Sequence, residues 1–147
     1  MRKGCLVALA AVLLGGASAW AAEEIPLKGH GRALVVEATL NERYTGKFLL
    51  DTGATFCVVT RDTARDAMIK GRTGGKKLRL MTAAGPIEAT LAEARKVELG
   101  SSSARDVEVA VVEEDPTPGF AGLIGLSFLG RFKYSIDSEK GVLRLEK

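Results

Sequence analysis

The stretch Phe48–Thr60, "FLLDTGATFCVVT", decides the fold. Phe48, Leu49 and Leu50 form an apolar run that ends on a carboxylate, Asp51. Thr52 and Gly53 follow, and Phe56 to Thr60 resumes an apolar strand. A carboxylate among apolar residues is costly to bury without partners. A strand that delivers Asp to a tight loop gives it a reason to be there. Thr52 supplies a hydroxyl to hold the loop, and Gly53 lets another backbone or a ligand come close. An Asp held in this way can act as a general base on water.

Outward from this loop, strand signals dominate. Leu34, Val36, Ala38 and Leu40 alternate with other residues, as do Tyr44, Gly46, Phe48 and Leu50. The two runs predict a hairpin with its turn at Asn41–Arg43. Thr60 is placed to cap a short helix over 61–70 that Gly71 stops. Leu78 and Leu80, then Ile87, Ala89 and Leu91, alternate on either side of "TAAGP", which predicts a second hairpin. "RKVELG" and "RDVEVAVVEE" read as two further strands split by "SSSA", with Val107, Val109 and Val111 on one face. The acidic "EEDPTP" stretch reads as a solvated loop. "FAGLIGLSFLGRF" reads as a strand end running into a short helix, and "KYSIDSEKGVLRLEK" as a closing hairpin. Many short strands with one or two short helices indicate a mostly β barrel or sandwich.

Composition bounds the function. The chain has 147 residues. Arg2 and Lys3 precede an uncharged run from Cys5 to Ala22 whose exit is rich in Gly and Ala. Residues 1–22 therefore read as a cleaved signal peptide, with an uncleaved membrane anchor as the alternative. Residues 23–147 form one domain, destined for export to the periplasm or medium. Of 21 basic side chains, removal of Arg2 and Lys3 leaves 19 against 18 acidic ones. So balanced a charge points to no nucleic-acid partner, and to a membrane only if the leader stays attached. Cys57 alone remains in the mature part, which precludes an internal disulfide, and reads as a small buried hydrophobe. His30 is the only histidine, so Ser-His-Asp and Cys-His catalysis are disfavoured. No cluster of His or Cys suggests a metal, and no cofactor is expected. "GRTGGKK" fails as a phosphate loop: Lys70 and Lys77 stand where Gly and Ser or Thr are needed.

One carboxylate is half of a peptide-hydrolysing device. One group must take a proton from water while another supplies one to the substrate. The chain has no second Asp-Thr-Gly, and Asp137 sits in a hairpin-turn composition that marks it as structural. A second copy of the chain is the simplest source of a second Asp51, brought in by a twofold axis.

"LLDTGAT", the hairpin "LMTAAGPIEATL" and the late "GLIGLSFLGRFKYSID" with "GVLRL", in that order, resemble the retropepsin-like aspartic proteases, and within them the bacterial exported branch. The resemblance covers essentially the mature chain. It implies a mostly β, retropepsin-like closed β-barrel with one or two short helices, and an aspartic endopeptidase acting on peptides or proteins as a homodimer. It implies Asp51 as the catalytic carboxylate, one from each subunit, within an active-site loop of Thr52, Gly53, Ala54 and Thr55. Thr52 would brace the two loops, and Gly53 would accept substrate backbone. Thr82, Ala83, Ala84 and Gly85 would form a flap tip, and Leu123, Ile124 and Gly125 would support the loop. Thr55 and Leu126 stand where the retroviral branch carries polar or charged residues, and Pro86 removes a flap N–H. Contacts at those positions are not carried over. The alternative function is an inactive retropepsin-fold module that binds peptides or assists assembly in the cell envelope.

Overall fold

The computed structural model describes residues 22–30, 33–71, 75–115 and 117–147. Residues 1–21 of the expected signal peptide (1–22) and the centre of the "GRTGGKK" loop lie outside these residues. The fold is mostly β, as expected. A nine-stranded mixed sheet contains β2 (Lys28–His30), β3 (Ala33–Leu40), β4 (Tyr44–Leu50), β5 (Cys57–Thr60), β6 (Lys70–Gly71), β7 (Lys77–Thr82), β8 (Gly85–Leu99), β9 (Ser102–Val112) and β10 (Gly122–Ile124). A three-stranded sheet holds β1 (Glu23–Pro26), β11 (Lys133–Asp137) and β12 (Val142–Glu146) in the order β1-β12-β11. The helices are α1 (Arg61–Asp66) and α2 (Leu126–Leu129).

The larger sheet runs β2-β3-β4-β10-β5-β9-β8-β6, with β7 paired to β8. β3 also pairs with β8 through Thr39↔Glu98 and Leu40↔Val97, so the curled sheet meets itself. The main core lies inside this curl, where Val36, Leu40, Phe48, Val59, Val107, Ile124, Phe128 and Leu143 are almost wholly buried. Phe128 and Phe132 face each other at 5.1 Å between ring centroids. A smaller cluster of Val58, Ala89, Ala110 and Val112, with Phe56, Leu80, Ile87 and Leu123 against it, lies between β5, β9, β10 and the β7–β8 hairpin.

The hairpin turn at Asn41–Arg43 appears as read from the sequence. Asn41 adopts φ of 52° there and is buried. Its side-chain amide donates to the Ala67 carbonyl at 3.0 Å and accepts from the Lys96 N–H at 3.1 Å. Asn41 thus ties the first hairpin to α1 and β8. Asn41→Ala leaves the buried Ala67 C=O and the half-buried Lys96 N–H without this partner and removes a residue suited to left-handed backbone. We expect a loss of about 2–3 kcal/mol, read as a lower urea midpoint at unchanged slope.

Three expectations are corrected. The helix predicted over 61–70 does begin at the Thr60 cap, which accepts from the Thr63 N–H at 3.2 Å. It ends at Asp66, however, because Met68 turns left-handed at φ 52° and buries Ile69. Lys70–Gly71 then pairs with Ala92 and Glu93. The strands read separately from Ile87–Leu91 and "RKVELG" are one 15-residue strand, β8. "SSSA" does not split β8 from β9 as a loop: Ser102 and Ser103 pair with Leu99 and Glu98, and the turn falls at Gly100–Ser101.

Arg144, on the middle strand of the small sheet, grips both neighbours. It donates to Glu24 at 2.8 Å and to Asp137 at 3.2 Å. Asp137 also accepts the Lys140 N–H at 2.9 Å, which bears out its structural reading. Glu23 accepts from the Ser101 N–H at 2.5 Å and the Ser102 hydroxyl at 2.6 Å, fastening β1 to the β8–β9 turn. The Lys140 N–H, with Arg144, holds the Asp137 carboxyl below its ordinary range. Desolvation opposes the shift at Glu23, but the bonds from Ser102 and Ser101 outweigh it and the net direction is again down. Both groups bind protons less readily folded than unfolded. Their contribution is present above the ordinary carboxylate range and is lost as pH falls through the folded values. Urea midpoints should therefore fall between about pH 5 and pH 3, and Asp137→Asn should make that fall shallower.

Candidate active site

β4 carries the chain to Asp51 and β5 carries it away. β10 is wedged between them, parallel to β4 (Leu123↔Leu49, Ile124↔Leu50) and antiparallel to β5 (Gly122↔Val59, Leu123↔Val58). The loop from Asp51 to Phe56 therefore sits on a support made by a distant part of the chain. The Asp51 N–H donates to the Ile124 carbonyl at 3.0 Å. The Leu126 and Ser127 N–H groups donate to Ala54 and Thr55 carbonyls at 2.8 and 2.9 Å. The Ser127 hydroxyl accepts from the Cys57 N–H and donates to the Glu108 carbonyl.

Glycine is required at two points of this support. A Cβ on Gly125 would collide with the Phe56 carbonyl oxygen and lie 2.7 Å from that of Ala54. Gly122, at φ 147°, approaches the Val58 carbonyl so closely that no side chain fits. These contacts explain why the "GLIG" segment is written with glycine at both ends.

Within the loop, Asp51 Oδ1 accepts the Gly53 N–H at 2.8 Å, and the Ala54 N–H reaches the Asp51 carbonyl at 3.3 Å. The carboxylate is half-buried and held by its own turn. Thr52, Gly53 and Thr55 are exposed, and Ala54 is half-buried. Ile124 and Gly125 are buried beneath, while Leu123 reaches the cleft wall.

That cleft, of about 640 Å³, lies between the Asp51 loop and the β7–β8 hairpin. Its walls include Asp51, Gly53, Ala54 and Thr55 from the loop and Thr82 and Ala83 from the hairpin tip. Ala84 and Gly85 complete the turn without lining the cleft. Thr82 closes that turn by donating to the Gly85 carbonyl at 2.7 Å and accepting from the Ala84 N–H at 3.2 Å. Gly85, at φ 118°, occupies backbone space that other residues avoid. Among the described lining residues Asp51 is the only acid and Arg79 the only base.

Several lining residues were not singled out from the sequence. Phe56, Val58, Leu78, Leu80 and Ile87 make the cleft largely apolar. The alternation in the flap strands marked the apolar face but not what it faces. Thr117 also lines the cleft, held by Asp115, whose carboxylate accepts the Thr117 N–H at 2.8 Å. The Asp-Pro-Thr order carries the signal for that local turn. The rest of the acidic stretch, Glu113 to Asp115, is exposed as expected.

Cys57 is buried, and burial pushes its thiol up, away from the reactive thiolate. It serves as a core side chain. Among the described residues no group of His, Cys, Asp or Glu is arranged to hold a metal ion.

Known proteins bear on this arrangement in three ways. The chain resembles the crystal structure of a retropepsin-like aspartic protease from Rickettsia conorii, with a TM-score of 0.63 and 27% identity, covering 86% of this chain and 93% of that one. No curated protein matches. The aspartyl protease family profile matches residues 36–128, a span that opens in β3, takes in the Asp51 loop and the flap hairpin, and closes in α2. That profile covers more than half of the chain and includes the Asp51 loop, so the chain belongs to the aspartyl proteases.

Proposed function

We propose that the chain is an exported aspartic endopeptidase that hydrolyses peptide bonds as a homodimer, with Asp51 of each copy facing the other across a twofold axis. The observation that carries this reading is the lone Asp51 carboxylate in a cleft roofed by a hairpin. A water molecule between two such carboxylates would lose a proton to one, while the other protonates the substrate carbonyl oxygen. Thr52, exposed beside Asp51, would brace one loop against its twin. Gly53, exposed and without a side chain, would accept substrate backbone. Substrate would lie extended and pair with the flap hairpin as an added strand. Its Thr82-locked tip would close over the cleft and exclude water. The uncharged run after Arg2 and Lys3 supports export. Among the described residues no helix is long and apolar enough to cross a membrane.

A peptide library incubated with the protein from about pH 3 to pH 8, read by mass spectrometry, tests this. We expect cleavage that peaks on the acid side of neutrality and declines on both flanks, since two carboxylates must share one proton. Binding of library peptides without cleavage at any pH would instead support the peptide-binding module.

A further inference from the structure

α2 reads Leu126-Ser127-Phe128-Leu129, so Ser127 is its one polar side chain. Phe128 and Leu129 are buried in the core. Gly125, at the N-cap, offers no side chain to orient the helix. Ser127 is tied at three points instead. Its N–H donates to the Thr55 carbonyl at 2.9 Å. Its hydroxyl donates to the Glu108 carbonyl at 2.7 Å and accepts the Cys57 N–H at 2.9 Å. A hydroxyl has a single proton, and this one is given to Glu108, so only its lone pairs face Cys57. Ser127 is not among the residues that line the cleft, so its reach is to the Asp51 loop and not to substrate.

The two groups joined by the hydroxyl are natural partners of each other. β5 and β9 run parallel, with Cys57 opposite Val109. Bonds between parallel strands slant, and an N–H reaches the carbonyl one residue before its opposite number. For Cys57 that carbonyl belongs to Glu108. The Ser127 hydroxyl therefore bridges the ladder at its first rung, where the Asp51 loop becomes β5. Beyond it the pairing runs on from Val58↔Ala110 to Thr60↔Val112. The entry of the loop is fixed separately, by the Asp51 N–H on the Ile124 carbonyl. Entry and exit thus hang on one short segment, 124–127.

We propose that Ser127 is a positioning residue for Asp51, its hydroxyl setting the gap between β5 and β9 at the loop exit and with it the placing of the carboxylate. This rests on the aspartic endopeptidase reading above. Without the hydroxyl, the Cys57 N–H and the Glu108 carbonyl are best satisfied by closing on each other, which draws the loop exit toward β9. Steady-state peptide cleavage and urea unfolding of Ser127→Ala, Ser127→Val and Ser127→Thr test it. Val and Thr have nearly the same shape, so their difference isolates the hydroxyl. Ser127→Ala and Ser127→Val should lose about 10–100-fold in kcat with KM nearly unchanged, because the apolar cleft walls keep their side chains. Ser127→Thr should restore most of that kcat. Asn41→Ala, which loses stability at the far end of β4 from Asp51, should keep parental kcat wherever it is fully folded, so lost stability alone does not produce the pattern. If Ser127→Val unfolds below the assay temperature, Ser127→Ala against Ser127→Thr carries the comparison. Parental kcat in Ser127→Val, or equal losses in Ser127→Val and Ser127→Thr, would overturn the role of the hydroxyl and leave the endopeptidase reading standing. A parent protein that cleaves no peptide would overturn that reading and the proposal with it.

Discussion

Asp51→Asn should abolish peptide cleavage, by at least about a thousandfold in kcat, while the fold and self-association persist. The expectation follows from what the substitution keeps. An Asn side-chain oxygen can accept the same Gly53 N–H that Oδ1 accepts now, at 2.8 Å. The Asp51 backbone bonds to Ile124 and Ala54 do not involve the side chain at all. What disappears is the ability to take a proton from water and share it with a second carboxylate. Peptide affinity should be largely retained, because the cleft walls are mostly apolar and unchanged. Thermal melts and sedimentation of the variant separate this outcome from misfolding. Cleavage at near-parental rates in Asp51→Asn would remove the carboxylate from the mechanism.

Gly125→Ala should have the second largest effect, and it acts through structure. The added methyl would press on the carbonyl oxygens of Phe56 and Ala54, both of which belong to the Asp51 loop. Relief requires the loop to lift from β10, which breaks or lengthens the bond from the Leu126 N–H to Ala54. Overpacking of this kind costs about 1–3 kcal/mol, and more where backbone rather than a flexible side chain must yield. The effect on kcat should exceed what lost stability explains, since displacement of a catalytic group by about 1 Å can cost a hundredfold. Paired measurements of urea midpoint and kcat at a temperature where the variant is fully folded would check this. A folded variant with parental kcat would show that the loop does not depend on this contact.

The parts legible in the sequence were those governed by local chemistry. Asn41–Arg43 turns because Asn tolerates left-handed backbone, and Thr60 caps because its hydroxyl reaches the Thr63 N–H. The "GLIGLSFLG" run shows its strand-to-helix change in its own glycines. Features that depend on distant partners were not legible. β8 is continuous because β7, β6 and β3 pair with successive parts of it while β9 pairs along Ala89–Leu99, and no window of the strand reveals four neighbours. Ser102 and Ser103 look like loop residues but are paired by β8. The N-terminal β1 gave no strand pattern because "EEIP" is held by β12 and by the Glu23 contacts. In the site, Asp51 and the flap turn announced themselves through motif and turn composition. Thr117 did not, because its place in the cleft wall comes from the path of a loop.

Subunit mixing tests the central claim most directly. Parent protein and Asp51→Asn would be combined at a fixed total concentration, exchanged to equilibrium, and assayed for peptide cleavage. If two Asp51 carboxylates from separate copies form one site, activity follows the square of the parental fraction, and an equal mixture keeps about one quarter of the parental rate. Activity that falls in simple proportion, leaving about one half, would mean that each chain cuts alone and would contradict the account.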